Sequence, residues 1–108
     1  MSSLPEPPAM FRKFVDRFPE LGQAWQLASQ AGTGGPLDSK TMLLVKLAIA
    51  CGAMREGAVH SAVRKALAQG VTTEEVEQVV PLAAGTLGFP GAVAIFSWIQ
   101  DELVKQGG

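Results

Sequence analysis

The sequence contains few of the residues from which metal sites and disulfides are built. Its 108 residues include no tyrosine, one histidine and one cysteine. A single cysteine, Cys51, cannot form a disulfide within the chain. One histidine and one cysteine are also too few ligands for a zinc site. We therefore expect no metal and no other cofactor, and we take the cytoplasm as the compartment.

Clustered positive charge and long apolar runs are also missing. The net charge is −1, and the nine lysines and arginines are scattered along the chain. This argues against nucleic-acid binding, which depends on clustered basic residues. The most apolar runs, residues 42–53 and 79–87, are interrupted by Lys46 and Pro81 and fall short of the roughly 18 residues that a membrane span needs. No phosphate-binding or dinucleotide-binding glycine loop is present. We expect neither nucleic acid nor membrane as a partner.

The chain is instead rich in apolar residues for its size. Hydrophobic residues make up 47% and charged residues 18%, whereas about a quarter of a typical soluble domain is charged. A soluble protein with so little surface charge is expected to cover part of its surface in a subunit interface. We predict a homo-oligomer in which residues 1–9 form a flexible leader and residues 10–108 a single domain.

Helical spacing of apolar residues extends through the first half of the chain. Residues 10–31 follow this spacing, and Pro19 should divide them into a short helix and a second helix over about 19–31. Asp38 is placed to cap a third helix, residues 39–51, which Gly52 would end. Because this third helix is apolar nearly all round, we expect it to be central and buried on most sides.

The second half of the chain gives the same kind of signals. A helix that carries Glu56 and His60 should end near Gly70, and Thr72–Glu75 has the form of a capping box that begins the next helix. Pro81 should kink that helix, and residues 88–91 should end it and start a last helix that reaches about residue 105. No segment alternates as a strand does. The sequence predicts an all-α fold of five or six helices.

The chemistry of the chain centres on its only histidine. Glu56, His60 and Arg64 are spaced four apart, so they should form a column on one face of a helix. A carboxylate beside an imidazole can fix its tautomer, and an arginine beside it supplies positive charge. The column could therefore be a general acid–base site. A ladder of solvated salt bridges would have the same sequence.

Three other residues are candidates for the site. Lys46 lies in the most apolar helix, so it should reach the helix edge, pair with a carboxylate or face a ligand cavity. Arg55 lies just before Glu56 and could bind a carboxylate. Cys51 is a candidate thiol, although a small core residue is the more ordinary role for a lone cysteine.

Several short motifs occur in an order that resembles a known family. Between Leu37 and Leu103 the chain contains Leu37-Asp38-Ser39-Lys40-Thr41, Leu47-Ala48-Ile49-Ala50, Glu56 four residues before His60, Ala66-Leu67 with Gly70-Val71-Thr72, Glu74-Glu75 and Gly88-Phe89-Pro90, with Phe18-Pro19-Glu20-Leu21 before them. This set resembles the carboxymuconolactone decarboxylase family within the wider alkylhydroperoxidase-D-like superfamily. The resemblance implies a helical bundle that assembles as a homotrimer or homohexamer.

The same resemblance indicates which activity to expect. The redox branch of the superfamily has a Cys-x-x-Cys pair at the positions of Ala53 and Glu56, so a dithiol peroxidase mechanism is not available here. Decarboxylase-like members have a glutamate four before the histidine, as this chain does. A further glutamate of the family, near the start of the central helix, is replaced by Thr41 or Leu43.

The resemblance thus implies a lyase of aromatic compound catabolism that acts on a small cyclic carboxylate. His60 would be the acid, Glu56 its orienting partner, and Arg55, Arg64 or Lys46 the anion clamp. A second hypothesis is a catalytically degenerate member that binds a small molecule or serves in assembly. A weaker third hypothesis is a peroxidase or antioxidant role through Cys51 alone.

Overall fold

The computed structural model describes residues 9–105 and confirms the all-α prediction. Five helices occur in this part of the chain, and no strand does. They are α1 (Ala9–Arg17), α2 (Pro19–Thr33), α3 (Ser39–Gly52), α4 (Glu56–Ala68) and α5 (Thr73–Lys105). The chain divides into two compact units, one holding α1 and α2 and the other α3 to α5. Of the predicted leader, residues 1–8 lie outside the described residues, and Ala9 begins α1.

The first unit is a pair of short helices joined at a proline. Pro19 occupies the start of α2, where its missing N–H costs nothing, so the predicted break is confirmed. The ring of Phe11 meets that of Trp25 edge-on, with 5.9 Å between the centroids. Val15 lies against Gly22, where an added Cβ would come within 3.3 Å of it. No residue of either helix is buried.

The second unit holds the hydrophobic core. It is built from one face of α3, one face of α4 and two stretches of α5. Its buried apolar residues are Leu47, Ala50, Cys51, Val59, Val63, Ala66, Val71, Val76, Val79, Ile95, Ile99 and Leu103. These positions recur at helical spacing in each element, so burial of the shared apolar face positions the three helices.

The prediction that α3 is buried on most sides is wrong for this unit. Asp38 caps the helix as expected, since its Oδ1 accepts a hydrogen bond from the backbone N–H of Thr41 at 2.8 Å. However, Val45 and Ile49 are exposed to 41% and 65%. The helix also continues through Gly52, and its C-cap is Ala53. The all-round apolar pattern of α3 therefore leaves an apolar face on the surface of the unit.

The start of α5 is the boundary that the sequence predicted best. Thr72 and Glu75 exchange two hydrogen bonds, from the N–H of Thr72 to Oε1 of Glu75 at 2.9 Å and from the N–H of Glu75 to Oγ1 of Thr72 at 3.1 Å. This is the predicted capping box. The other carboxylate oxygen of Glu75 accepts from Nζ of Lys40 at 3.0 Å, which ties α5 to the first turn of α3.

The interruption of α5 falls at Gly88, within residues 88–91, where the sequence predicted that one helix ends and the last begins. Gly88 has φ 77° and ψ 167°, a conformation that only glycine adopts readily, whereas the dihedral angles stay helical at Pro81. The element is thus two helices joined at Gly88, with Pro90 in the first turn of the second. By length and composition alone α5 could span a membrane. Its second half, however, places Ile95 and Ile99 in the core against α3 and α4.

Candidate active site

The imidazole of His60 lies between two carboxylates. Its Nδ1 is 2.6 Å from Oε2 of Glu102, and its Nε2 is 3.3 Å from Oε2 of Glu56. Valines at 59 and 63 face the core from the same helix, so they fix the face of α4 that carries the histidine. The ring can donate to both carboxylates only when both nitrogens carry hydrogen. The ring is therefore held by a carboxylate at each of its two nitrogens.

Glu102 is the buried anchor of this cluster. It projects from the second half of α5 and is the only charged or polar residue in the buried part of the described chain. Its Oε2 also accepts from Nη1 of Arg64 at 3.2 Å and from Nζ of Lys105 at 3.4 Å. Its other oxygen, Oε1, is buried and has no hydrogen-bond partner among the described residues. An unpaired buried oxygen is costly, so the cationic side chains on Oε2 must offset that cost.

These neighbours determine the charge of Glu102. Burial is the largest influence and would raise the pKa of this carboxyl. The hydrogen bond with His60 and the positive charges of Arg64 and Lys105 together outweigh burial, so the pKa of Glu102 is lowered from its ordinary value of 4.5. The buried carboxylate is therefore ionised at neutral pH and presents a fixed negative charge to the histidine.

Glu56 differs from Glu102 in its surroundings. Its side chain is 58% exposed, whereas that of His60 is 17% exposed. Its contact with Nε2 of His60, at 3.3 Å, is longer than the contact of Glu102 with Nδ1, at 2.6 Å. The inner nitrogen is thus fixed by a buried carboxylate, and the outer nitrogen faces a carboxylate that can move into solvent.

The structure joins Arg64 to the cluster but not the other two predicted anion-binding residues. Arg64 reaches Glu102 from one turn beyond His60, as the column on α4 predicted. Arg55 is exposed at the N-cap of α4. Lys46 is exposed on α3 and has no polar contact with a described residue. The predicted roles of these side chains toward a ligand stay predictions.

Cys51 is placed in the core of the unit. Its side chain is fully buried among apolar residues of α3 and its neighbours. Burial raises the pKa of this thiol to about 11. Because the thiolate is the reactive form of cysteine, this environment suits a packing role and opposes a nucleophilic one.

Sequence reasoning missed Glu102 and Lys105. Both lie in the last helix, 42 or more residues from His60, so no local spacing relates them to it. A signal was nonetheless present. Glu102 lies seven residues after Ile95 and three after Ile99, on the buried stripe of the helix. A carboxylate on such a stripe requires a buried partner. The only histidine of the chain is a candidate for that partner.

A separate groove lies between α3 and the first half of α5. It has a volume of about 520 Å³. Its lining residues are Thr41, Leu44, Val45, Ala48, Gly52, Glu75, Gln78, Val79, Leu82, Ala83, Thr86 and Leu87. None of them belongs to the cluster of His60 and Glu102. Thr41, at the start of α3, therefore lines this groove and not the cluster.

The second unit is thus a helical domain whose one histidine is held between two carboxylates. The sequence model of the carboxymuconolactone decarboxylase family matches residues 19–101. This match covers most of the chain, and the chain belongs to the carboxymuconolactone decarboxylase family. No curated protein and no solved structure gives a significant match to the sequence.

Proposed function

We propose that this protein is a carbon–carbon lyase that decarboxylates a small cyclic carboxylate, with His60 as the general acid. The observation that carries the proposal is the contact of 2.6 Å between Nδ1 of His60 and the buried carboxylate of Glu102. A buried carboxylate that accepts from Nδ1–H fixes the ring, and Nε2 is then a positioned proton donor whenever it also carries hydrogen. Family membership supplies the class of reaction and of substrate.

The reaction requires a proton on the delocalised carbanion that remains when the carboxylate departs. When the C–C bond breaks, carbon dioxide leaves and its electron pair is delocalised into an adjoining carbonyl as an enolate. The substrate would displace the exposed Glu56 from Nε2 of His60, and the Nε2 proton would then be transferred to the carbanionic carbon. Glu56, which reaches solvent, would return a proton to the ring. Atoms and charge balance with no external oxidant or reductant.

Positive groups near the histidine would bind the anion. Arg64 contacts the cluster through one of its nitrogens, so its remaining donors can reach a carboxylate at the surface. Arg55 lies one residue before Glu56 at the N-cap of α4. Fixed cations of this kind stabilise the developing enolate oxygen. Lys46, an exposed cation of α3, is the third member of the proposed clamp.

The test is turnover of 4-carboxymuconolactone, followed by ultraviolet absorbance. We expect purified protein to decarboxylate it and His60→Ala to lower kcat by about two to four orders of magnitude, the usual contribution of a positioned acid. Lys65→Ala is the matched control, since Lys65 is an exposed residue of the same helix, and it should keep the rate. Full activity in His60→Ala would refute the assignment of the acid.

One observation favours a binding or assembly role as the second candidate. The apolar groove between α3 and α5 shares no residue with the His60 cluster, so a binding function there would not need the acid. If wild-type protein turns over no small cyclic carboxylate but is stabilised against heat by one, the chain is a binding protein of this family. Ligand binding alone raises the melting temperature by linkage.

A further inference from the structure

The outer face of α1 carries an apolar stripe that the first unit does not cover. Met10 and Phe14 lie on α1 and Phe18 follows its last residue; the three are four residues apart and are exposed to 71%, 45% and 43%. Phe11 and Val15, on the other face, pack against α2. Anchors spaced in this way are typical of a helix that lies in an apolar groove. From Met10 to Phe18 the stripe spans nine residues, a length of about 12 Å at the rise of a helix.

The groove between α3 and α5 has matching dimensions and character. Its wall on α3 extends from Thr41 to Gly52, which is about 16 Å of helix. Leu82, which lines the opposite wall, is exposed to 72%. The groove is long enough for three anchors, and its walls are mainly aliphatic. An exposed apolar groove of this kind marks an interaction site.

The charges beside the stripe and the groove are opposite in sign. Lys13 and Arg17 flank the stripe, each three residues after an anchor. α1 has three basic residues and one acidic residue. The α5 wall begins with three glutamates in residues 73–77, of which Glu75 lines the groove and Glu74 is exposed. Lys40 forms an ion pair with Glu75 and with neither of the other two glutamates. An acidic rim beside an apolar groove suits a helix with apolar anchors and basic flanks.

We propose that α1 of one copy of this protein docks into the α3–α5 groove of a second copy, with Lys13 and Arg17 against the acidic start of α5. The stripe and the groove are encoded in one chain, so each copy supplies both halves of the contact. The interface is independent of the His60 cluster. If the interface does not form, the proposed activity is therefore unaffected. Likewise, an inactive protein could still form the interface.

The first test measures mass in solution by light scattering after size-exclusion chromatography. We expect wild-type protein at a multiple of 11.3 kDa, and Lys13→Glu/Arg17→Glu close to that single-chain mass. Adding Glu74→Lys/Glu77→Lys to the same chain should restore the oligomer. The matched control is Arg55→Glu/Lys65→Glu, which makes the same change of charge on α4 and should keep the wild-type mass. Circular dichroism verifies that each variant is helical.

The second test identifies the contact directly by disulfide formation between two purified chains. One carries Phe14→Cys and the other Leu82→Cys, both with Cys51→Ala. We expect a cross-linked heterodimer on mixing, and none when Lys65→Cys replaces Leu82→Cys. The proposal is overturned if the two chains form no more cross-link than that control. It is also overturned if one chain that carries both cysteines forms the disulfide within itself, or if the wild type is monomeric and sediments with anionic phospholipid vesicles.

Discussion

Nδ1 of His60 lies 2.6 Å from Oε2 of Glu102, although the two residues are 42 positions apart in the chain. The contact joins α4 to the second half of α5 and buries a carboxylate beside the only histidine. It therefore has two effects. It fixes the imidazole ring, and it makes the packing of α5 depend on charged groups.

Replacing Glu102 by alanine should destabilise the fold. Removing one partner of a buried ion pair costs about 3–5 kcal/mol when the other charge stays buried. Here the side chains of Arg64 and Lys105 are 36% and 66% exposed, so they can be rehydrated. We therefore expect the free energy of unfolding in urea to fall by about 2–3 kcal/mol. Asp101→Ala removes an exposed carboxylate one residue earlier and should change stability by less than about 0.5 kcal/mol. Equal effects of the two substitutions would contradict the buried role of Glu102.

The contribution of Glu102 should depend on pH in a definite direction. Its pKa is lowered in the folded protein from the ordinary value of 4.5. The stabilisation by this carboxylate is then fully present above pH 4.5 and is lost as the pH falls through the lower, folded value. We expect the difference in unfolding free energy between wild type and Glu102→Gln to be largest near pH 7 and to shrink below pH 4.5. Urea titrations from pH 7 to pH 3 measure this difference. A gap that widens with acid would show that the pKa is raised.

Cys51 should resist alkylation in the folded protein. A pKa of about 11, against 9.0 for an ordinary thiol, lowers the thiolate fraction at pH 8 about a hundredfold, and burial blocks access as well. Iodoacetamide should therefore label Cys51 at least about a hundred times more slowly in native protein than in urea. Rapid labelling of the native protein would revive the thiol hypothesis.

Gly88 should be the glycine of α5 that tolerates alanine least. Its φ of 77° lies in the left-handed region, where a Cβ costs about 1–2 kcal/mol. Gly85 is helical, and no atom lies within 4 Å of a Cβ added there. Gly85→Ala should therefore stabilise the protein by up to about 1 kcal/mol. Thermal unfolding of the two variants should show melting temperatures that shift in opposite directions.

Local sequence determined where the helices begin and end. The capping box of Thr72 and Glu75, the cap at Asp38 and the break at Pro19 each depend on groups a few residues apart, so the pattern contains the whole interaction. The all-α class followed for the same reason. The predicted break at residues 88–91 is confirmed, because Gly88 adopts dihedral angles that no helix accommodates, whereas the dihedral angles stay helical at Pro81.

Tertiary structure determined the surroundings of the histidine. The column of Glu56, His60 and Arg64 was predictable because a helix places residues four apart together. The burial of Glu102 beside His60, and the exposure of Val45 and Ile49 on α3, depend on how α5 packs against the other helices. Spacing along one helix has no information on which distant side chain the core will enclose. The sequence thus determined the helices and one face of the site, and only the packing of α4 against α5 decided which buried carboxylate holds the ring of His60.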